Sequence, residues 1–307
     1  MPSRPPLRLG TRRSPLAMAQ AEEARGALIA AHPGMEVEIV PVTASGDRVK
    51  GSLADAGGKA LWTKELDAWL LAGEIDFAVH SLKDVETLRP PELVIAAVLP
   101  REDVRDCLIG AASLADLPPG ARIGTSAPRR AALALRARPD CSVVGIRGNV
   151  ATRLAKLAAG EADATLLAMA GLNRLGMTHG NPLDAREWLP APSQGAIAIE
   201  CRVSDTEMRE LLAAIDHVPS HDAVLAERAL LAALGGNCHS PIAVLTQTDR
   251  DMLVLTAALL SADGAEEVRG EARFAPGDRD AAQVLAADLL ARASPAIRQH
   301  FDPPGGF

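Results

Sequence analysis

The sequence predicts an α/β protein: two units of alternating strands and helices, followed by a smaller α+β unit. Three observations carry that expectation. Short apolar runs rich in Ile, Val and Leu alternate with helix-length segments from Leu7 to about Cys201, the pattern of a mostly parallel sheet. Some runs end abruptly in polar residues, as in Ile75-Asp-Phe-Ala-Val-His-Ser-Leu-Lys-Asp84, and ligands bind at the carboxyl ends of strands in open α/β sheets. After Pro241 the order changes to successive strand-like runs and then one helix. A chain of 307 residues has room for two or three such cores.

The elements follow in order. Leu7 to Gly10 reads as a strand, and a helix to about Ala31 follows, with Ser14 as N-cap and Pro15 as its first residue. Glu36 to Val42 is the next strand. Residues 43–58 lack apolar periodicity and contain Gly46, Gly51, Gly57 and Gly58, so they read as a long loop of the kind used as lids. Lys59 opens a helix to about Ala72. After the Ile75 run comes the strand Leu93 to Leu99. The second unit has strands at Cys107 to Gly110, Arg122 to Gly124, Ser142 to Ile146 and Ala164 to Met169, with helices ending near Arg138 and Ala159. Ser126 and Asn149 are candidate caps for those helices. Pro182 to Pro192 reads as irregular, and Gly195 to Cys201 as a strand returning to the first unit. Ser220, as N-cap, starts a helix to Leu234 that stops at Gly235-Gly236-Asn237. Ile242 to Thr246, Met252 to Leu260 and Val268 to Phe274 then read as antiparallel strands, closed by a helix over 280–292 and a loose tail from Phe301.

Composition narrows the function. The net charge is −7 and aromatic residues are 2% of the chain, which argues against a stacking surface for single-stranded nucleic acid and against general polyanion binding. No apolar run reaches the length of a membrane span. Gln20, Glu22, Glu23 and Arg25 interrupt the first apolar helix, which is not a signal-peptide core. The expectation is a cytoplasmic protein without membrane or nucleic-acid partners. The four cysteines form no C-x-x-C pair and imply no metal site. Cys107, Cys141 and Cys201 border strand-like runs and read as buried and inert. Cys238 follows a Gly-Gly-Asn helix stop and reads as exposed.

One stretch runs against the acidic total. From Arg122 to Lys156 there are eight basic residues and one acid, Asp140, a local charge of +7. Arg136 and Arg138 lie late in a helix, where cations suit the dipole, and read as structural. Arg129, Arg130, Arg147 and Arg153 lie at strand-to-helix junctions, where free backbone N–H groups bind anions and the guanidinium fork suits carboxylates or phosphates. A polyanionic small molecule is the implied ligand.

Several blocks, in order and from residue 8 to about 243, resemble the porphobilinogen deaminase family. They are Leu9-Gly-Thr-Arg-Arg-Ser-Pro-Leu-Ala, Gly57-Gly-Lys-Ala-Leu-Trp-Thr-Lys-Glu-Leu, His80-Ser-Leu-Lys-Asp-Val, Gly124-Thr-Ser-Ala-Pro-Arg-Arg, Arg147-Gly-Asn-Val-Ala-Thr-Arg-Leu, Pro192-Ser-Gln-Gly-Ala, and Glu227-Arg followed by Gly235-Gly-Asn-Cys-His-Ser-Pro-Ile. The resemblance implies two periplasmic-binding-protein-like α/β domains with the active cleft between them, residues 1–99 plus 195–217 and residues 100–194. A small C-terminal α+β domain, 218–307, would anchor a dipyrromethane cofactor through a thioether to Cys238. The implied reaction is a transferase reaction: four porphobilinogen molecules are joined head to tail with loss of ammonia, and hydroxymethylbilane is then released by hydrolysis.

By the same resemblance Asp84 and Lys83 are catalytic. Ser81, Lys83, Asp84, Thr125, Ser126, Arg129, Arg130 and Arg147 hold the cofactor. Arg12, Ser14, Arg147, Arg153 and Arg174 hold substrate, and Lys59 and Trp62 belong to the lid and its hinge. The pyrroles carry acetate and propionate groups, which accounts for the arginines, and a carboxylate at Asp84 can stabilise the positive charge that develops as ammonia leaves. A monomer is implied. The chain departs from the family's usual residues at Asn237 and Ser240 around the cysteine, and at Ala127, Glu86, Trp62 and Ser193, the last usually Gly. Two rivals are a two-lobed anion-binding module without catalysis and, more weakly, a nucleic-acid binder, which would show steep salt dependence.

Overall fold

The structure is a computed structural model that describes residues 5–42 and 60–304, apart from the side chains of residues 60–62 and 279. Lys59, the loop at 43–58 and the side chain of Trp62 lie outside that description. Two compact units emerge, residues 1–101 with 196–221 and residues 102–195 with 222–307.

The first unit contains β1 (Leu7–Arg12), α1 (Pro15–Ala31), β2 (Val37–Val42), α2 (Ala60–Leu71), β3 (Phe77–Ser81) and β4 (Leu93–Val98). The second unit begins with β5 (Asp106–Ile109), β6 (Arg122–Gly124), α3 (Pro128–Ala137), β7 (Ser142–Val144), α4 (Val150–Ala158), β8 (Ala164–Ala168), α5 (Met169–Arg174) and β9 (Asn181–Pro182). The chain then returns through β10 (Ile197–Arg202) and α6 (Thr206–Ala213), and continues with α7 (Val218–Ala233). The last elements are β11 (Ile242–Asp249), β12 (Met252–Leu260), β13 (Glu267–Phe274), α8 (Arg279–Arg292) and α9 (Pro295–Arg298).

The predicted class is the observed one, and the two α/β sheets repeat one plan. The first has the order β2-β1-β3-β10-β4, the second β7-β6-β8-β5-β9. In each, three parallel strands are followed by an antiparallel one, β10 against β3 and β5 against β8. That arrangement brings the ends of β1 and β3 together in the first unit, and those of β6 and β8 in the second. Leu9, Phe77, Val79, Ile197 and Ile199 form one core with Leu28 of α1 and Met208 and Leu212 of α6. On the other face Ala78 packs with Leu66 and Leu70 of α2. Each fully buried Leu contributes roughly 1.5–3 kcal/mol.

The third sheet, β11-β12-β13, is an antiparallel meander in which the start of β11 and most of β12 are buried. Ile242 and Val244 face α7 and α8, whereas Ala243 and Leu245 join the core of Trp188 and Leu133. Alternate residues thus enter two cores, which explains the near-continuous apolar run. It also explains why residues 102–195 and 222–307 form one compact unit.

Three local expectations are corrected. Ser220 lies inside α7, not at its cap, because the His217 ring takes that role: Nδ1 accepts from Ser220 N at 3.3 Å. Ser126 does not cap α3. Ala127 occupies that position without a side-chain bond, and the Ser126 hydroxyl donates to Ile146 O at 3.0 Å. The stretch after Pro182 is irregular as expected, and it follows a short strand, β9, paired with β5. The tail is not loose where it begins, since Phe301 is buried in the core under β12 and α8.

Candidate functional site

In the first unit the site forms where β1 and β3 end. Ser14 caps α1, its Oγ accepting from Ala17 N at 3.3 Å. Ser81 closes β3, and the chain turns at once through a single 3-10 turn, Leu82–Asp84. Leu82 is buried and tethers the turn, leaving Lys83 and Asp84 half-buried. Buried Gln20 of α1 donates from Nε2 to Ser81 Oγ at 2.8 Å. Arg12, Ser14, Ser81 and Asp84 line one cavity, together with His80 and Thr63. Side chains from three separate stretches of the sequence thus meet, two of them because β1 and β3 are parallel neighbours.

A second layer went unrecognised in the sequence. His80 Nε2 lies 3.1 Å from Glu200 Oε2 of β10. Arg89 then bonds Glu200 twice, at 2.9 Å from Nε and 2.9 Å from Nη2, and reaches Asp67 of α2 at 2.5 Å. Burial alone would raise the Glu200 carboxyl, but the His80 imidazole and the Arg89 guanidinium outweigh it and hold it down at about 2. The network ties the segment after Asp84 to the sheet and to α2. Its sequence signal was a charged residue, Glu200, inside an otherwise apolar strand, which a buried partner must accompany.

In the second unit the basic stretch is rebuilt by acids from elsewhere. Arg129 and Arg130 are buried, and Asp106, the first residue of β5, sits between them at 2.6 and 2.7 Å. Trp188 Nε1 and Gln194 Nε2 also donate to that carboxylate, at 2.9 and 2.8 Å. Burial opposes its ionisation, yet Arg129, Arg130 and Gln194 hold Asp106 far below the usual carboxylate range. Arg122 pairs with Asp163, Arg136 with Glu267, Arg138 with Asp140 and Lys156 with Glu161. The local +7 is therefore not a +7 field in space. The Arg129–Asp106–Arg130 cluster keeps one net positive charge, and buried Arg130 Nε makes no hydrogen bond among the described residues.

The other predicted residues surround this cluster or stand apart from it. Thr125 is buried, and its Oγ1 accepts from Ala127 N at 3.1 Å. Arg147 is exposed after β7, with no acidic partner among the described residues. Asn149 caps α4, and Arg153 donates from Nε to Gly148 O at 2.9 Å. Arg174 ends α5 and donates to Gly195 O at 3.1 Å. Ser193 has φ 60°, the left-handed region that favours glycine, and its N–H is held by Glu227 Oε2 at 2.6 Å.

Cys238 is exposed on the loop after α7, whereas Cys107, Cys141 and Cys201 are buried. Burial pushes the Cys107 and Cys201 thiols up to about 11, so they are poor nucleophiles.

These features define a class: an α/β protein whose strand ends present arginines, hydroxyls and a carboxylate, joined to an α+β module that offers one accessible thiol. Comparison with known proteins sharpens it. The family profile for "Porphobilinogen deaminase, dipyromethane cofactor binding domain" matches residues 7–210, and that for "Porphobilinogen deaminase, C-terminal domain" matches residues 222–291. The chain is 57% identical to a porphobilinogen deaminase of Sphingopyxis alaskensis over 96% of each chain. It is 48% identical to one of Paracoccus denitrificans, over 94% of this chain and 95% of that one. A Nitrobacter winogradskyi relative of the same name is 46% identical, over 95% of this chain and 92% of its own. The chain belongs to the porphobilinogen deaminase family.

The residues fit the dipyrromethane group that the family profile names. The thiol is accessible, the second unit's arginine cluster is one carboxylate short of neutral, and Arg147 is exposed.

Proposed function

We infer that this chain is a transferase that joins four porphobilinogen molecules head to tail with loss of ammonia and releases hydroxymethylbilane. The accessible Cys238 thiol, in a chain whose other three thiols are buried, is the observation that carries this reading beyond the family match. Dipyrromethane, when bound to Cys238, supplies the covalent primer on which the product chain is extended. We place the domain divisions at 1–99 with 195–217, 100–194 and 218–307, and take the working form to be a cytoplasmic monomer. No helix among the described residues is long and apolar enough to cross a membrane.

Asp84 is assigned as the central catalytic residue. It is half-buried and lines a cavity together with Arg12 and Ser81. There its carboxylate can accept a pyrrole N–H and oppose the positive charge that develops on the substrate as ammonia departs. Lys83, on the same turn, and Arg12 are assigned to substrate carboxylates, with Ser14 and Ser81 as hydrogen-bonding partners. In the second unit Arg147, Arg153 and Arg174 are assigned to substrate carboxylates. Thr125, Ser126, Arg129 and Arg130 are assigned to cofactor carboxylates.

The burial of Arg129 and Arg130 refines that last role. Asp106 fixes both guanidinium planes before any ligand arrives, so ligand binding need not order two long side chains. Incubating the purified protein with porphobilinogen tests the reading. Consumption of four substrates and release of four ammonia molecules per tetrapyrrole formed is expected. Tight binding of porphobilinogen without ammonia release would leave a binding module instead.

A further inference from the structure

The loop that carries Cys238 is held from beneath by the end of the chain, and we propose that Ser240 is the positioning residue that presents the Cys238 thiol for cofactor attachment. This rests on Cys238 being the anchor, and the test below separates the two claims.

Asn237 to Ser240 form a β-turn, with Ser240 N donating to Asn237 O at 3.1 Å. Cys238 and His239 are its two central residues, and both are exposed. Ser240 alone in this turn is buried. Its Oγ accepts from Asn237 N at 3.0 Å and donates to His300 O at 2.9 Å. One hydroxyl therefore closes the turn and ties it to the segment after α9. Asn237 adds a third bond, its Oδ1 accepting from His239 N at 2.8 Å.

The segment that receives this bond is itself fixed. Phe301 is buried in the module's core. Gly235, with φ +61°, lies so close to the chain end that a Cβ there would fall 1.6 Å from Asp302 O. A depression is lined by Asn237, His239 and Ser240 of the turn and by Gln299, His300 and Asp302 of the segment after α9. Both of the unusual residues flanking Cys238 thus serve one purpose, which is to hold an exposed turn in one shape.

That rigidity bears on a specific step. At attachment of the first ring, a Cys238 Sγ–C bond forms and the C–N bond of the aminomethyl group breaks. The departing ammonia carries away the thiol proton, so no other reactant is needed. Sγ must approach that carbon along one line, and fixing its direction contributes through orientation. A hydroxyl with two hydrogen bonds, each worth about tenfold or less in equilibrium, predicts a matching loss when it is removed.

The test follows attachment by mass rather than activity. Cofactor-free protein is prepared in cells that lack porphobilinogen, porphobilinogen is added, and the Cys238 adduct is timed by intact mass with peptide mapping. Ser240→Ala is expected to load roughly tenfold more slowly than the natural chain, and Ser240→Thr, which keeps the hydroxyl, within about twofold. Turnover by the loaded fraction should fall by less than the loading rate. Asn237→Ala removes the exposed bond and should slow loading by roughly threefold, and it carries the test if Ser240→Ala does not fold. Loading of Ser240→Ala, or in that case of Asn237→Ala, at the natural rate would overturn the proposal, as would Ser240→Thr loading as slowly as Ser240→Ala. Failure of the natural chain to gain an adduct on Cys238 would instead overturn the anchor assignment.

Discussion

Asp84 and Asp106 are two carboxylates near arginines, one in each compact unit, and their surroundings give them opposite work. Asp106 has no exposure and four side-chain donors, from Arg129, Arg130, Trp188 and Gln194. Its lone pairs are used up, and it stays ionised far below neutral pH. It can organise a ligand site but cannot exchange protons or meet a substrate. Asp84 is half-buried on a one-turn segment that opens into a cavity. A carboxylate acts on a ligand only where some of its hydrogen-bonding capacity is left for the ligand, and Asp106 has none left.

The comparison breaks first on turnover. Asp84→Asn keeps the shape and removes the charge, so turnover should fall roughly 10²–10⁴-fold while the folded protein keeps its unfolding midpoint. Steady-state rates beside a denaturant titration check this. Near-normal turnover in a folded Asp84→Asn protein would remove Asp84 from the centre of the mechanism. Asp106→Asn should do the reverse in kind. It strands two buried guanidinium groups and should cost about 3–5 kcal/mol of stability, read as a lowered denaturation midpoint. An unchanged midpoint would mean that Arg129 and Arg130 do not depend on Asp106.

A smaller effect separates the two sites by pH. Glu200 is buried and held at about 2 by His80 and Arg89 against the cost of burial. Its folded value lies below the ordinary carboxyl value of about 4.3, so its contribution is complete above that value. The contribution is lost as pH falls from about 4.5 towards 2. Its size is on the order of 2–3 kcal/mol. Glu200→Gln should therefore flatten the acid limb of the stability curve in that window. An acid limb identical to the natural chain's would show that the His80–Glu200–Arg89 contacts contribute nothing net.

The same pair of regions shows what could be read from sequence. The end of β3 was legible because its signal is local: an apolar run stops at His80, and the polar residues that follow are the site. The basic stretch was not, because charges were counted along the chain while they cancel in space. Asp106 lies 23 residues from Arg129, Asp163 lies 41 from Arg122, and Glu267 belongs to another sheet altogether. Sheet pairing brings these acids in, and nothing near the arginines announces them. Ser220 was misplaced for a related reason, since a histidine ring three residues earlier caps the helix by accepting from Ser220 N. The short helix α6 had a findable cap in Asp205, whose side chain accepts from Met208 N. The departures became intelligible only in three dimensions. Ser193 occupies a backbone region where glycine is at ease, and Ser240 is tied to a carbonyl 60 residues away.

The most direct test of the account is the intact mass of the purified chain, followed by peptide mapping, before and after incubation with porphobilinogen. The account predicts an added mass of two linked pyrrole units, located on the peptide that contains Cys238, with Cys107, Cys141 and Cys201 unmodified. A chain that remains unmodified at Cys238 after that incubation, or that carries the adduct on another residue, would contradict it.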